Sequence, residues 1–169
     1  MDDSMQTTDY EIKDVGSDQA DLLATIIRQA FQGVAERMGL TPENAPTHPS
    51  NCTAEWVRSD LAKGLCYFLL EIDHVPSGCV ALELAIEPDV CYLERLALLP
   101  AFQGKGYGKA LALHALEKAR RHGCSLVSIG IIAEDARLKA WYGRLGFIEH
   151  KTLRLRHLPF EVMFMTKTL

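Results

Sequence analysis

The sequence predicts an α/β (α+β) fold in which a mixed β-sheet of six to seven strands is flanked by about four helices. Segments with apolar residues at helical spacing alternate along the chain with short apolar or alternating segments that are typical of strands. A strand hairpin in the middle of the chain is followed by β-α-β units, which combine antiparallel and parallel pairing in one sheet. The 169 residues, 48% of them hydrophobic, suit one domain over residues 1–169 with a single buried core.

The predicted helices are recognised by an apolar face and by the residues at their ends. In the first helix, Leu23, Ile27 and Phe31 recur at helical spacing, and Gly39 follows its last residue. Three prolines then predict a loop before a second, shorter helix, and Gly146 is predicted to cap the last helix. The predicted helices cover residues 18–38, 53–63, 106–122 and 135–145.

The predicted strands are shorter and differ in pattern. Residues 66–72 form a continuous apolar run, which indicates a buried strand, whereas residues 79–87 alternate between apolar and polar or small residues, which indicates a half-buried one. Turns are predicted at residues 75–78 and at 88–89. The predicted strands cover residues 10–15, 66–72, 79–87, 91–99, 126–132, 151–156 and 160–166.

Composition excludes some classes of function. The net charge of −4 is unlike that of a nucleic-acid-binding protein, and no stretch approaches the roughly 20 apolar residues of a membrane span. Residues 1–10 are acidic and polar, unlike a signal peptide, so the expected location is cytoplasmic. Five cysteines show neither a CxxC pair nor metal-ligand spacing, so no metal site is predicted and buried, reduced thiols are expected.

Three alternating glycines lie between the strand at 91–99 and the helix at 106–122. Glycine lets a ligand approach the backbone closely, and the free N–H groups of a helix start attract anions, so this turn is a candidate anion site. Its spacing matches neither GxxxxGK[ST] nor GxGxxG, and a tight turn without a ligand is the alternative interpretation. Small residues on one stripe of the following helix, among them Gly108, Ala112 and Ala115, would let it pack close to the sheet with its N-terminus at a cleft.

Two motifs carry a resemblance to a known family. Pro100, Gln103-x-x-Gly106-x-Gly108 and the small-residue helix resemble the pyrophosphate-binding motif of the GNAT acetyltransferase superfamily. Residues 140–147, Ala-Trp-Tyr-Gly-Arg-Leu-Gly-Phe, resemble the aromatic-Tyr-x-x-x-Gly-Phe helix end of the same family. The resemblance implies a GNAT fold with splayed central parallel strands, and an N-acetyltransferase that uses acetyl-CoA.

The resemblance also implies which residues bind the cofactor. The backbone of one strand would pair with the pantetheine arm, and the N–H groups of the glycine turn would hold the pyrophosphate. Asp135 stands where many members of the family carry a CoA-contacting asparagine, and its alternative role is to cap the helix. The predicted cofactor-binding residues are Leu96, Ala97, Leu98, Gln103, Gly104, Lys105, Gly106, Tyr107, Gly108, Lys109, Asp135 and Tyr142.

Three residues are candidates for the proton transfers. Tyr142 is the family's usual general acid, which would protonate the leaving CoA thiolate, although its place on an apolar helix face also suits a core residue. Glu94 is the candidate base, because an acidic residue is unusual within an otherwise apolar strand. The alternatives are an ion pair with Arg95 or with a neighbouring strand, and a sheet face that meets solvent. Glu83 in the adjacent strand is a second candidate base.

The acceptor is expected to be a small-molecule or peptide amine, bound between residues 31–61 and 151–164. The alternatives are a CoA-binding sensor without transfer activity and an acyltransferase for another acyl-CoA. A homodimer is a further expectation, since a late strand could pair across subunits.

Overall fold

Seven strands form one continuous mixed sheet in this computed structural model, which describes residues 8–84, 87 and 89–169. The strand order is β1-β2-β3-β4-β5-β7-β6, and each neighbouring pair is antiparallel except β4 and β5, which run parallel. The mixed sheet that the sequence predicts is thereby confirmed. The strands are β1 (Tyr10–Val15), β2 (Cys66–Ile72), β3 (Val75–Leu84), β4 (Val90–Leu98), β5 (Leu126–Ile132), β6 (Ile148–Arg154) and β7 (Glu161–Thr168).

Helices cover both faces of the sheet. On β3, Val80 and Leu82 pack in one apolar cluster with Leu111 of the third helix, while Cys79 and Ala81 pack on the opposite face in a second cluster with the first two helices. Because side chains alternate along a strand, β3 contributes residues to the apolar cores on both faces of the sheet. The helices are α1 (Ala20–Met38), α2 (Ala54–Ala62), α3 (Tyr107–Arg121) and α4 (Ala136–Arg144).

Helix ends follow the sequence signals within one or two residues. Thr53 caps α2, and its hydroxyl accepts a hydrogen bond from the N–H of Trp56. Gly39 ends α1 in the left-handed conformation, and Gly146, with φ of 97°, follows the capping residue Leu145 of α4. None of the helices in the described ranges has the length and apolarity that a membrane crossing requires.

The turn predicted at 75–78 is wrong, because the β2–β3 hairpin turns at Asp73 and His74, whose φ angles are 48° and 66°. Two-residue hairpins favour positive φ at both central residues. Pro76 is instead part of β3 and pairs with Glu71 where the β2–β3 register shifts, a position where a missing N–H is tolerated. Ala85 and Ile86 of the predicted strand at 79–87, and Pro88 of the next turn, lie outside the described residues.

The cysteines also depart from expectation at one pair. Cys91 at the start of β4 and Cys124 after α3 are joined in a disulfide, with Cα atoms 6.1 Å apart. The expectation of reduced thiols is wrong for these two, because the fold brings together positions 33 residues apart in sequence. Cys52, Cys66 and Cys79 are free thiols.

Candidate functional site

A cleft of about 980 Å³ opens where the two parallel strands part. β4 and β5 pair only at their first three residues among those described, from Val90 with Leu126 to Tyr92 with Ser128. Beyond that point the facing edges of both strands contribute to the cleft, with α1 on one side and α4 on the other. The backbone N–H and C=O groups of these edges are available to a ligand that lies between them like an added strand.

A β-bulge at the middle of β4 accounts for the divergence. Ala81 pairs with Glu94 and Cys79 with Ala97, so β4 has one more residue than β3 between these two pairs. Arg95 is in the extra stretch, with φ of 51°, a conformation that costs a non-glycine residue free energy. Bulges bend the strand that carries them and redirect its side chains. The second half of β4 is therefore turned relative to β5.

The side chain of Arg95 is held by a buried polar cluster on the α1–α2 side of the sheet. Its guanidinium forms an ion pair with Asp60 of α2 and donates to the hydroxyl of Tyr67, which donates in turn to Asp60 at 2.6 Å. The guanidinium also lies over the Trp56 ring, 5.9 Å from its centroid. Glu94 does not pair with Arg95 in this arrangement, because Asp60 takes that place.

The glycine turn lies at one end of the cleft. Gly104 and Gly106 have φ of 76° and 90°, and a Cβ atom on either would meet no atom within 4 Å. α3 begins at Tyr107 without a side-chain cap, so no capping side chain accepts a hydrogen bond from its first N–H groups. The N–H of Gln103 already donates to the carbonyl oxygen of Pro100, so the free donors begin after it.

Two contacts fix the turn relative to its neighbours. The side-chain amide of Gln103 donates to the carbonyl oxygen of Leu98 at 2.9 Å, which ties the turn to the end of β4. A Cβ atom on Gly108 would lie 3.4 Å from the Trp141 ring, so α3 and α4 approach closely there. Both motifs singled out in the sequence therefore meet at this end of the cleft.

Most of the predicted cofactor-binding residues line the cleft. Lys105 and Tyr107 lie outside its lining, and the Tyr107 ring packs edge-to-face against Tyr10, 5.7 Å between centroids. Asp135 caps α4 by accepting a hydrogen bond from the N–H of Leu138 at 3.0 Å. The predicted residues that line the cleft are Leu96, Ala97, Leu98, Gln103, Gly104, Gly106, Gly108, Lys109, Asp135 and Tyr142.

Tyr142 is both a core residue and part of the cleft wall. Its side chain is 5% exposed and packs edge-to-face against Trp141 and Phe147, with centroids 4.9 Å and 5.4 Å away. Burial raises the pKa of the Tyr142 phenol above its ordinary value. The hydroxyl is therefore protonated at neutral pH and can act as a proton donor.

Glu94 lines the cleft from β4 and is half-buried. Burial, followed by a hydrogen bond with the Glu83 carboxyl and by the charge of Glu83, raises the pKa of Glu94 to about 7. A carboxylate of that pKa is a stronger base than an exposed one and is still largely ionised at slightly alkaline pH. Glu83 itself is on β3, outside the cleft lining.

Some residues of the predicted acceptor region line the cleft. Phe31, Pro49 and Phe164 line it, together with Val34 and Arg37 of α1. The loop residue His48 is 6% exposed, and its ring lies edge-to-face against Phe31, 5.8 Å between centroids. Burial lowers the pKa of His48.

Other residues of the predicted acceptor region have structural contacts instead. The side chain of Asn51 donates to the carbonyl oxygen of Ala45, and Glu55 forms an ion pair with Arg58. Trp56 lies under Arg95 rather than in the cleft.

Three cleft residues on α4 did not stand out in the sequence as cofactor contacts. Arg137, Trp141 and Arg144 line the cleft together. Their spacing of four and three residues places them on one helix face, and this is the signal that could have identified them. The two guanidinium groups add positive charge to the cleft wall.

Comparisons with known proteins agree on one family. The sequence profile of the acetyltransferase (GNAT) family matches residues 30–147. The chain is 34% identical over 133 residues to YjgM, an uncharacterized N-acetyltransferase of Escherichia coli strain K12, a match that covers 76% of this chain and 75% of that protein.

Solved structures with the same fold include the ribosomal-protein-S18-alanine N-acetyltransferase of Escherichia coli, with a TM-score of 0.73 at 17% identity over 95% of this chain and 94% of that one. The PaiA N-acetyltransferase of Thermoplasma acidophilum, in complex with coenzyme A, has a TM-score of 0.71 at 18% identity over 95% and 99% of the two chains. Because the family profile spans more than half of the sequence, the chain belongs to the GNAT family of acetyltransferases and is an acyltransferase.

Proposed function

We propose that this chain transfers the acetyl group of acetyl-CoA to a primary amine by direct attack in a ternary complex. The observation that carries the proposal is the convergence of four features on one cleft: an unpaired edge of β4, an uncapped glycine-rich helix start, Tyr142 and Glu94. The first two suit a ligand with an amide-bearing arm and a pyrophosphate, and the last two suit an acid and a base.

In this proposal the cofactor spans the length of the cleft. The backbone of Leu96 and Leu98 exchanges hydrogen bonds with the amides of the pantetheine arm. The N–H groups from Gly104 to Lys109 receive the pyrophosphate, with Lys109 supplying positive charge. The PaiA N-acetyltransferase of Thermoplasma acidophilum, which has the same fold, holds coenzyme A, and this supports the choice of cofactor.

The proton transfers balance as follows. The acceptor arrives as an ammonium ion, and Glu94 takes one proton so that the nitrogen has a free lone pair. The nitrogen bonds to the thioester carbon, and the carbon–sulfur bond breaks with its electron pair on sulfur. Tyr142 protonates that sulfur, and the second proton released by the new amide nitrogen restores the Tyr142 hydroxyl. One proton per turnover passes from Glu94 to solvent.

The test is release of CoA thiol across a panel of acyl-CoAs and amines. Acetyl-, propionyl- and succinyl-CoA are each combined with a polyamine, amino acids, an aminoglycoside, a peptide with a free N-terminus and a lysine peptide. We expect acceptor-dependent thiol release with acetyl-CoA, and a product heavier by one acetyl group in the mass spectrum.

Two other results would support the alternatives. Tight calorimetric binding of CoA with no acceptor-dependent release for any amine would favour a CoA-binding sensor. Faster release from propionyl- or succinyl-CoA would favour an acyltransferase for another acyl group.

A further inference from the structure

Glu83 and Glu94 form a carboxyl pair across two neighbouring strands. Ala81 pairs with Glu94 and Glu83 with Tyr92, so Glu83 is the diagonal neighbour of Glu94 in the β3–β4 ladder. Both side chains are on the face that carries Cys79 and Ala81, because side chains alternate along β3. Diagonal neighbours on one face are within reach of long side chains, and the Glu83 carboxyl is one of the causes that raise the pKa of Glu94.

A hydrogen bond between two carboxyl groups requires a proton, because an ionised carboxylate only accepts hydrogen bonds. Two ionised carboxylates on neighbouring strands of one sheet face would also repel each other in a half-buried setting. The pair therefore holds one proton over a range of pH in which isolated glutamates are fully ionised. Glu83 raises the proton affinity of Glu94 without lining the cleft itself, whereas Glu94 does line it.

No cation neutralises the pair among the contacts of the described residues. The nearest guanidinium in sequence, that of Arg95, is committed to Asp60 and Tyr67. Arg37 of α1 is on the cleft wall but forms no ion pair among the contacts described. Glu83 on β3 and Tyr67 on β2 interact electrostatically with Glu94. The other charged or titratable residues that line the same cleft are Arg37, Tyr92, Arg95, Lys109, Asp135, Arg137, Tyr142 and Arg144.

We propose that Glu83 is a positioning residue that shares one proton with Glu94 across β3 and β4 and so presents the Glu94 carboxyl to a cationic amine at the acceptor end of the cleft. With both carboxyl groups ionised the pair carries two negative charges, and it still carries one after Glu94 has taken a proton from the acceptor, the proton that the two groups then share. An ammonium ion is therefore attracted to the same group that deprotonates it. This inference rests on the proposed transfer reaction and assigns Glu83 a role distinct from that of the base.

The decisive variant is Glu83→Gln, which keeps the size of the side chain and removes its charge. An amide N–H can donate to the Glu94 carboxylate, which favours the ionised form. The pH dependence of kcat/KM is measured with the best acceptor from the panel. We expect the acidic midpoint to move down by about one pH unit from a value near 7.

A second measurement does not depend on catalysis. The carboxyl carbons of glutamate are labelled with carbon-13, and their chemical shifts are followed by NMR against pH, with Glu94→Gln used to assign the Glu94 signal. The Glu94 midpoint should fall by the same amount in Glu83→Gln. The conservative variant Glu83→Asp keeps a carboxyl and should give a midpoint between the two. Glu11→Gln, which removes one charge on the exposed strand β1, should leave the midpoint in place.

The outcomes separate the two proposals. If Glu83→Gln lowers kcat/KM equally at every pH and leaves the Glu94 midpoint unchanged, Glu83 has a structural role only and the inference is wrong. Unchanged midpoints in both Glu83→Gln and Glu83→Asp overturn it as well. If no amine supports thiol release but the NMR midpoint of Glu94 moves with Glu83, the carboxyl pair stands and the proposed reaction fails.

Discussion

At the residue scale, Tyr142 is a core residue to which we also assign the proposed role of general acid. The ring is packed between Trp141 and Phe147, and the same packing excludes the water that would stabilise a phenolate. The raised pKa of the Tyr142 hydroxyl follows from that burial. The side chain therefore keeps its proton at neutral pH and is available as a donor to an acceptor atom in the cleft.

Replacing this hydroxyl should affect turnover and spare the fold. Tyr142→Phe keeps the ring contacts, so we expect CoA affinity within about twofold of wild type by calorimetry, and kcat lower by about 100-fold, the usual effect of a lost general acid. Tyr10→Phe on β1 is the matched control and should have wild-type kcat. A kcat for Tyr142→Phe within about threefold of wild type contradicts the acid role.

At the scale of elements, the contact between β3 and β4 determines the shape of the cleft. A Cβ atom on Gly78 would lie 2.7 Å from the carbonyl oxygen of Ala97 and 3.0 Å from a Leu98 methyl group. Glycine is required there because the two backbones approach closely. The β-bulge next to this contact changes the direction of β4. The ion pair with Asp60 of α2 holds Arg95 in its positive-φ conformation.

Gly78→Ala should therefore push β4 toward the cleft. We expect the free energy of unfolding to fall by about 2 kcal/mol, a typical cost of overpacking, and CoA affinity to fall with it. Gly33→Ala in α1 is the control, since its Cβ would have only an ordinary contact at 3.7 Å and alanine favours helix. Denaturant unfolding and CoA titration of both variants are the measurements. Equal stability of Gly78→Ala and wild type would show that β3 can relax without cost.

Much of the fold could be predicted from the sequence, because apolar periodicity and terminal glycines are local signals. The residues of β1, β2 and β5 match the predicted ranges, and the spacing of the glycine turn identifies one end of the cleft. The β2–β3 turn could not be placed, because Pro76 and Gly78 are common turn residues and their real roles depend on register and close approach. The Glu83–Glu94 pair depends on the β3–β4 register and the Arg95 cluster on the bulge beside it, and no sequence spacing encodes either.

At the scale of the whole molecule, the candidate site lowers stability in a pH-dependent way. The pKa of Glu94 in the folded protein, about 7, is above its ordinary value of 4.5. The folded state therefore holds this proton more tightly than the unfolded chain. Below pH 4.5 both states are protonated and Glu94 contributes no difference. As pH rises from 4.5 through 7, ionisation favours the unfolded chain, so stability falls.

Glu94→Gln removes this penalty because an amide does not ionise. We expect the variant to exceed wild type in unfolding free energy by about 2 kcal/mol at pH 8, with the difference shrinking as the pH falls toward 4.5. Urea unfolding at pH 5, 6, 7 and 8 measures this, with Glu11→Gln as the charge-matched control. A difference that stays constant between pH 5 and pH 8 would mean that Glu94 ionises in the fold as it does in water.

The parting of β4 and β5 also has a consequence for self-association. The unpaired N–H and C=O groups of a free strand edge can form hydrogen bonds with a strand of another protein, which is why such edges promote aggregation. Here the free edge is in the interior of the sheet, and the helices α1 and α4 stand on either side of it. A second polypeptide would have to bring bulky side chains between those helices, whereas a slender chain of amides would not. The fold can thus keep open hydrogen-bonding groups in its centre and remain selective about what pairs with them.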